Sequence, residues 1–292
     1  MKKITIYSVS FLLLFLISSL FFSFKFFYKA DPAGYQIINE VFARAKLINS
    51  ISYTMKKQEK IDGKLVTGQS STKLVYKPFK VYVKQELPKA GLEVLYVAGK
   101  NNNHAIINTN GFPWVNLNLN PMGSTMRDNN HHTIFDSDYS FVISILERLA
   151  GKYTKELESM ITNSGTVIWN GRACWLIHLK NQHFRYENYT VKAGETILTI
   201  ADRSKLSEYM ILQLNKNEVD SYTDVKEGQV IIVPNDYSPR MELYIDKQEM
   251  VPLVMKIYDD KSLFEQYEYT NLVINPVFKS NEFDKDFSDY NF

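Results

Sequence analysis

Three groups of side chains in this sequence are of the types from which reactive sites are built. His131-His132 is an adjacent imidazole pair, Cys174 is the only thiol, and His178 and His183 flank Asn181-Gln182. The imidazole pair has metal-ligand chemistry, but adjacent side chains are expected to diverge. No cysteine, and no carboxylate or histidine at a fixed spacing, completes a coordination set. Cys174 lies in the apolar run Ala173-Cys174-Trp175-Leu176-Ile177, which predicts a buried structural thiol and offers no disulfide partner. No Gly-x-Ser-x-Gly elbow, His-Glu-x-x-His pair, P-loop or Cys–His signature occurs. Glycoside hydrolysis needs two facing carboxylates, and spacing along strands identifies none. The expectation is a protein that is not an enzyme, with no metal site and no cofactor.

Residues 189–234 offer binding chemistry instead. Tyr189-Thr190-Val191 and residues 229–233 read as short strands, the second stopped by Pro234, which cannot donate to a sheet ladder. Glu195 and Thr196 follow Gly194 where a helix should begin, and a carboxylate there suits the exposed amides of a first turn. Ile197, Ile200 and Ala201 repeat at helical spacing, as do Leu206, Met210, Ile211 and Leu214. The result is a β-α-α-β unit with a small core and no cysteine to staple it.

With Gly194-Glu195-Thr196-Ile197, Leu206-Ser207, Leu214-Asn215, Gly228-Gln229 and Ile231-Ile232-Val233-Pro234, this unit resembles the LysM domain. Ser204 stands where that family often has an aromatic, and Lys205 where it often has glycine. The resemblance implies an N-acetylglucosamine-containing glycan, peptidoglycan above all, lying in a shallow groove between two loops. Here the contact set would be Ala193, Gly194, Glu195, Thr196 and Ile197 on one side and Asn215 and Val219 on the other. Backbone groups would bond the acetamido groups, with Ile197 and Val219 against the sugar faces. Glu195 serves equally well as a helix-terminus charge, and Asn215 suits a helix C-cap. A single copy implies weak binding, without the gain in effective concentration that repeats provide.

The elements on either side belong to a larger body. A chain of 292 residues is long for one domain, and its net charge of +2 gives no sign of nucleic-acid binding. Its 14% aromatic content leans towards strands. Met1-Lys2-Lys3 precedes an uncharged, largely apolar run over residues 4–24, long enough to span a bilayer. Phe21 before Ser23 and Tyr28 before Ala30 make poor cleavage sites, and no cysteine follows for lipid attachment. An uncleaved membrane anchor is thus slightly favoured over a signal peptide. Either form exports the chain to the periplasm or cell envelope.

Residues 32–49 carry a helical apolar stripe, Ile37, Ile38, Val41, Phe42 and Ala45, begun by Pro32. Short alternating segments follow to residue 119, broken at Asp62-Gly63, Pro78 and Pro88, and argue for a meandering antiparallel sheet. Residues 120–136 read as a loop and 139–152 as a helix. Asn170-Gly171 between alternating runs marks a hairpin.

Met241-Glu242-Leu243-Tyr244-Ile245-Asp246, Val251-Pro252-Leu253-Val254-Met255 and Tyr267-Glu268-Tyr269 are similar to the closing strands of periplasmic lipoprotein carriers. The resemblance implies an α+β fold, a large curved antiparallel β-sheet forming a half-barrel with helices on its concave side. The βααβ unit then sits as an insertion at a hairpin tip. The expected division is 1–30 as signal or anchor, 31–187 plus 236–292 as the sheet domain, and 188–235 as the LysM-like domain. Tyr53, Tyr82, Leu95, Trp114, Phe141 and Trp175 either line an acyl-chain site or fill the core. The function expected is peptidoglycan binding by an exported envelope protein. The alternative is a periplasmic carrier or chaperone of lipid or lipoprotein cargo.

Overall fold

The computed structural model describes residues 31–292, so the apolar run at residues 4–24 lies outside the described residues. Among those described, no helix is long and apolar enough to cross a membrane. The architecture is α+β, built on an antiparallel sheet of eleven strands. Helix α1 (Gly34–Ala45) leads into β1 (Ser50–Ile61), β2 (Lys64–Val75), β3 (Lys80–Leu87), β4 (Glu93–Val97), β5 (Ala105–Asn108) and β6 (Leu117–Leu119). The one-turn helix α2 (Ser124–Arg127), helix α3 (Ser140–Lys152) and the short α4 (Leu157–Met160) precede the hairpin β7 (Ile161–Trp169) and β8 (Arg172–Lys180). After an excursion, β11 (Arg240–Asp246), β12 (Pro252–Tyr258) and β13 (Leu263–Ile274) complete the sheet.

The spatial order is β6-β5-β4-β3-β2-β1-β13-β12-β11-β8-β7, which leaves the sheet open with β6 and β7 at its edges. The first strand and the last therefore pair at its centre, with Ile51 opposite Ile274 and Glu59 opposite Glu265. The β7–β8 turn is the expected one, since Asn170 and Gly171 both take the positive φ that this turn demands. The last of the alternating segments before residue 120 is strand only over Leu117–Leu119. The polar stretch of β2 belongs to one strand that runs to Val75, paired with β1 throughout and with β3 from Gln69 onward.

Alternation sorts side chains between the two faces. Leu74, Val81, Val94 and Ile107 point into the main core, against Ile37, Ile38 and Val41 of α1 and Val142, Ile145, Leu146 and Leu149 of α3. Burying one such side chain contributes roughly 1.5–3 kcal/mol. On the opposite face Val75, Tyr82, Leu95 and Val97 are covered by Phe278, Phe283, Tyr290 and Phe292 of the C-terminal segment. Tyr82 and Tyr290 stack there at 3.7 Å.

The excursion between β8 and β11 contains β9 (Tyr186–Thr190), α5 (Ile197–Ser204), α6 (Glu208–Leu214) and β10 (Val230–Pro234). Strands β8 and β11 pair directly, Lys180 opposite Arg240, whereas among the described residues β9 and β10 pair only with each other. Strand β9 starts at Tyr186, earlier than the sequence suggests, because Pro234 still lies opposite Tyr186 at the end of the ladder. Thr196 caps α5 by accepting from Thr199 N, and Ser207 caps α6 by accepting from Met210 N. Val191, Ile197, Ile200, Ala201, Leu206 and Ile211 form a separate small core with Val219, Ile231 and Val233.

Residues 32–292 nevertheless form one compact unit. His131 packs against both Tyr209 of α6 and Phe264 of β13, with ring centres at 4.5 and 4.3 Å. The Tyr209 hydroxyl accepts from Asp62 N at 2.9 Å. Arg127 reaches Glu208 at 2.6 Å and lies 5.1 Å from the Tyr222 ring centre.

Candidate functional site

The two loops expected to form a groove do meet. Ile197 N donates to Tyr222 O at 3.0 Å, tying the turn after β9 to the loop after α6. Ala193 and Gly194 are exposed on one side, and Lys216, Asn217 and Glu218 on the other. Gly194 has φ +73°, and a side chain placed there would meet open space, so a ligand can approach that backbone closely. Small exposed residues beside main-chain amides and carbonyls can bond a neutral polar ligand.

Several expected contact residues have structural duties. Ile197 and Val219, expected against the sugar faces, are instead buried in the unit's core, because its apolar helix face and loop have nothing else to fill it. The Asn215 carboxamide donates to Ile211 O at 2.7 Å and Ile232 O at 2.8 Å, and accepts from Ile232 N at 2.8 Å. It thus ends α6 and fastens it to β10. Glu195 accepts from Lys192 N at 2.9 Å and the Tyr189 hydroxyl at 2.7 Å, and pairs with Arg203. The Lys192 amide bond, aided by Arg203 and Tyr189, holds the Glu195 carboxyl down at about 2. Thr196 spends its hydroxyl on the helix cap. The exposed part of the expected set is therefore Ala193 and Gly194, with main-chain groups dominating the surface.

A second feature lies under the sheet. A cavity of about 380 Å³ opens between strands β1 to β6 and the loop over residues 125–137. Its walls are largely apolar, among them Met55, Val83, Val94, Ile107, Leu119 and Met126. At one end it meets Lys57, Glu59, His132 and Tyr267, the edge of a buried ionic network. The Lys57 ammonium donates to Glu59 at 2.6 Å and to Asn130 at 2.6 Å. The Tyr267 hydroxyl donates to Glu59 at 2.6 Å, and the Tyr237 hydroxyl donates to Glu265 at 2.7 Å.

Here the structure corrects the reading of the histidine pair. His131 Nδ1 and His132 Nε2 do not diverge but converge on one Glu265 oxygen, at 2.8 and 3.3 Å. The extended backbone of a strand would part neighbouring side chains, but these two residues sit in an irregular loop wrapped around Glu265. Burial opposes the charged His132 ring, yet the Glu265 carboxylate overrides it and lifts the ring to about 9. Burial likewise opposes ionisation of Glu265, and the His132 charge with the His131 hydrogen bond outweighs it and holds the carboxyl well below its usual range. Among the described residues no cluster of His, Cys, Asp and Glu has a metal-holding arrangement.

None of Tyr53, Tyr82, Leu95, Trp114, Phe141 and Trp175 lines this cavity beneath strands β1 to β6. Tyr82 and Leu95 face the other side of the sheet, Trp114 is exposed, and Tyr53 and Phe141 are core. The nitrogen of Lys247 covers Trp175 at 3.3 Å. Cys174 is buried, and burial raises its thiol to about 11, which suits a structural role. Glu59 and Glu265 escaped the sequence reading. The signal was present for Glu265, since Tyr267 and Tyr269 alternate inward on the same face.

In sequence, a family model described as "Protein of unknown function (DUF1571)" matches residues 48–207, and the LysM domain model matches residues 189–234. No curated protein matches the chain. Among solved structures the chain is similar to lipoprotein LppX of Mycobacterium tuberculosis, with 13% identity over 85% of this chain and 99% of that one, TM-score 0.40. It is similar to a LolA superfamily protein of Nitrosomonas europaea at 9% identity over 88% and 99%, TM-score 0.32. The MucA/MucB complex of Pseudomonas aeruginosa matches at 14% identity over 85% of this chain and 60% of that one, TM-score 0.39. With a match spanning more than half of its 292 residues, and a LysM domain at residues 189–234, the chain belongs to the DUF1571 family.

Proposed function

We propose that this protein is an exported cell-envelope protein that binds peptidoglycan through its single LysM domain, with residues 188–235 acting as an inserted binding domain. The observation that carries the reading is the bond between Ile197 N and Tyr222 O, which brings the exposed main chain at Ala193 and Gly194 beside the loop after α6. Glycan acetamido groups would bond those main-chain groups, and Glu195, Thr196 and Asn215 would hold the loops in shape. Because Arg127 and His131 fasten this domain to the sheet, glycan binding would fix the whole body on the wall. Retention of the purified chain on insoluble peptidoglycan tests the reading. Ala193→Glu, which adds bulk and charge at an exposed position without touching the core, should lower retention about tenfold, or ~1.4 kcal/mol. Absence of retention, or equal retention by the variant, overturns it.

The cavity of about 380 Å³ favours a second reading, a carrier of lipid or lipoprotein cargo. Its size falls within the range of small-molecule pockets, and its apolar walls end at a polar cluster. Mass spectrometry of organic extracts from the purified chain checks this, and an empty chain counts against it.

A further inference from the structure

The loop between β5 and β6 presents Phe112, Trp114 and Val115 to solvent at 83, 80 and 62% exposure. Scattered exposed apolar residues need no explanation, but three large ones within four residues form a projection. The loop is built to hold that shape. The Thr109 hydroxyl, itself buried, lies 2.9 Å from Gly111 O and 3.2 Å from Phe112 O. Trp114 N donates to Gly111 O at 2.7 Å. Trp114 has φ +61°, a conformation that is unfavourable for a bulky L-residue and persists only where the surroundings impose it. The neighbouring turn is joined in, since Asn110 Nδ2 donates to Ala90 O at 3.0 Å. That turn adds exposed Leu87 and Lys89.

Two further observations say what this projection meets. Residues 105–126 contain no charged side chain, although charged residues make up 23% of the chain. The finger itself, carrying no charge, can leave water without the large cost of desolvating an ion, while Lys89 of the neighbouring turn can keep its ammonium in water. Secondly, the projection adjoins the cavity, because Thr109 and Leu117, which flank it in sequence, both line that cavity. Three side chains on a finger cover far less than the roughly 800 Å² per partner that a stable protein interface needs. They suffice for insertion at a bilayer surface, where aromatic rings favour the headgroup level.

We propose that the Phe112-Pro113-Trp114-Val115 finger inserts into the headgroup–acyl boundary of a lipid bilayer and brings the adjoining cavity close to the membrane surface. The test uses the full chain with vesicles of phosphatidylcholine and phosphatidylglycerol carrying brominated acyl chains, which quench tryptophan only on close approach. Wild-type emission should contain a quenched component, and Trp114→Phe, a change at an exposed position, should lack it. Trp169 and Trp175 lie elsewhere and supply the unquenched remainder. Phe112→Ser with Val115→Ser, which keeps Trp114 as the reporter, should reduce that quenching at least severalfold. No quenching, or equal quenching in wild type and Trp114→Phe, overturns the proposal. Peptidoglycan retention is unaffected by either outcome, so the two readings fail separately.

Discussion

Glu59 and Glu265 stand directly opposite each other on β1 and β13, both buried, at the centre of the sheet. Like charges in that relation are destabilising on their own. The surrounding groups reverse the sign: Lys57 and the Tyr267 hydroxyl serve Glu59, while His131, His132 and the Tyr237 hydroxyl serve Glu265. Because those partners come from β1, β13, the 131–132 loop and the segment before β11, the network locks together parts of the chain that are distant in sequence.

The network makes stability depend on pH. The folded value of His132, about 9, lies above its ordinary 6.5, so its contribution is complete below pH 6.5 and lost as pH rises through 9. Glu265 is shifted the other way, so its contribution is present above its ordinary 4.5 and lost in more acidic solution. Denaturant titrations across pH should find stability falling by up to about 3 kcal/mol between the two His132 values. Glu265→Gln should cost roughly 3 kcal/mol near neutral pH and flatten that fall. An unchanged slope in the variant would remove His132 as its cause.

Asn215 is predicted to matter for folding of the LysM domain before it matters for any ligand. Its carboxamide satisfies Ile211 O and both backbone groups of Ile232. Asn215→Ala strands those groups and should destabilise the domain by about 2 kcal/mol. Hydrogen exchange should show the loss in α6 and β10, with the large sheet still protected.

Lys205 ends α5 in the left-handed conformation at φ +49°, a position that favours glycine. Its ion pair with Asp202 is exposed and contributes little. Lys205→Gly should therefore stabilise the domain, by up to about 1 kcal/mol after the added freedom of the unfolded chain is deducted. A lower denaturation midpoint for the variant would contradict this.

Local patterns made much of the fold legible. Asn170-Gly171 identified a hairpin, the stripe of Ile37, Ile38 and Val41 a helix, and Ile197, Ile200 and Ala201 the first helix of the LysM domain. Position along the chain also marked the two loops that meet at the bond between Ile197 N and Tyr222 O. Contacts made across long separations were hidden. Nothing near Glu59 announces Glu265, and nothing near Tyr82 announces Tyr290, because each pairing arises only when the last strands return to the first. Ile197 and Val219 looked available because apolar residues in loops resemble ligand contacts, whereas a core this small draws in every apolar side chain near it.

Arg127 is the residue whose loss should separate the LysM domain from the sheet. It is almost fully buried, donates to Glu208 at 2.6 Å, and lies over the Tyr222 ring, two contacts that both fall on the LysM domain. Its own loop is anchored by a bond from its Nε to Met122 O at 3.2 Å. Removing one member of such a pair leaves Glu208 half-buried without its cation, which costs about 3 kcal/mol where burial is complete and less here. Arg127→Ala should raise hydrogen exchange over residues 208–222 while leaving β9 and β10 protected, since their ladder does not involve it. Arg127→Lys should restore only part of the protection, because an ammonium keeps the charge and loses the planar face over Tyr222. If neither variant changed exchange in α6, the docking would rest on Tyr209 and His131 alone.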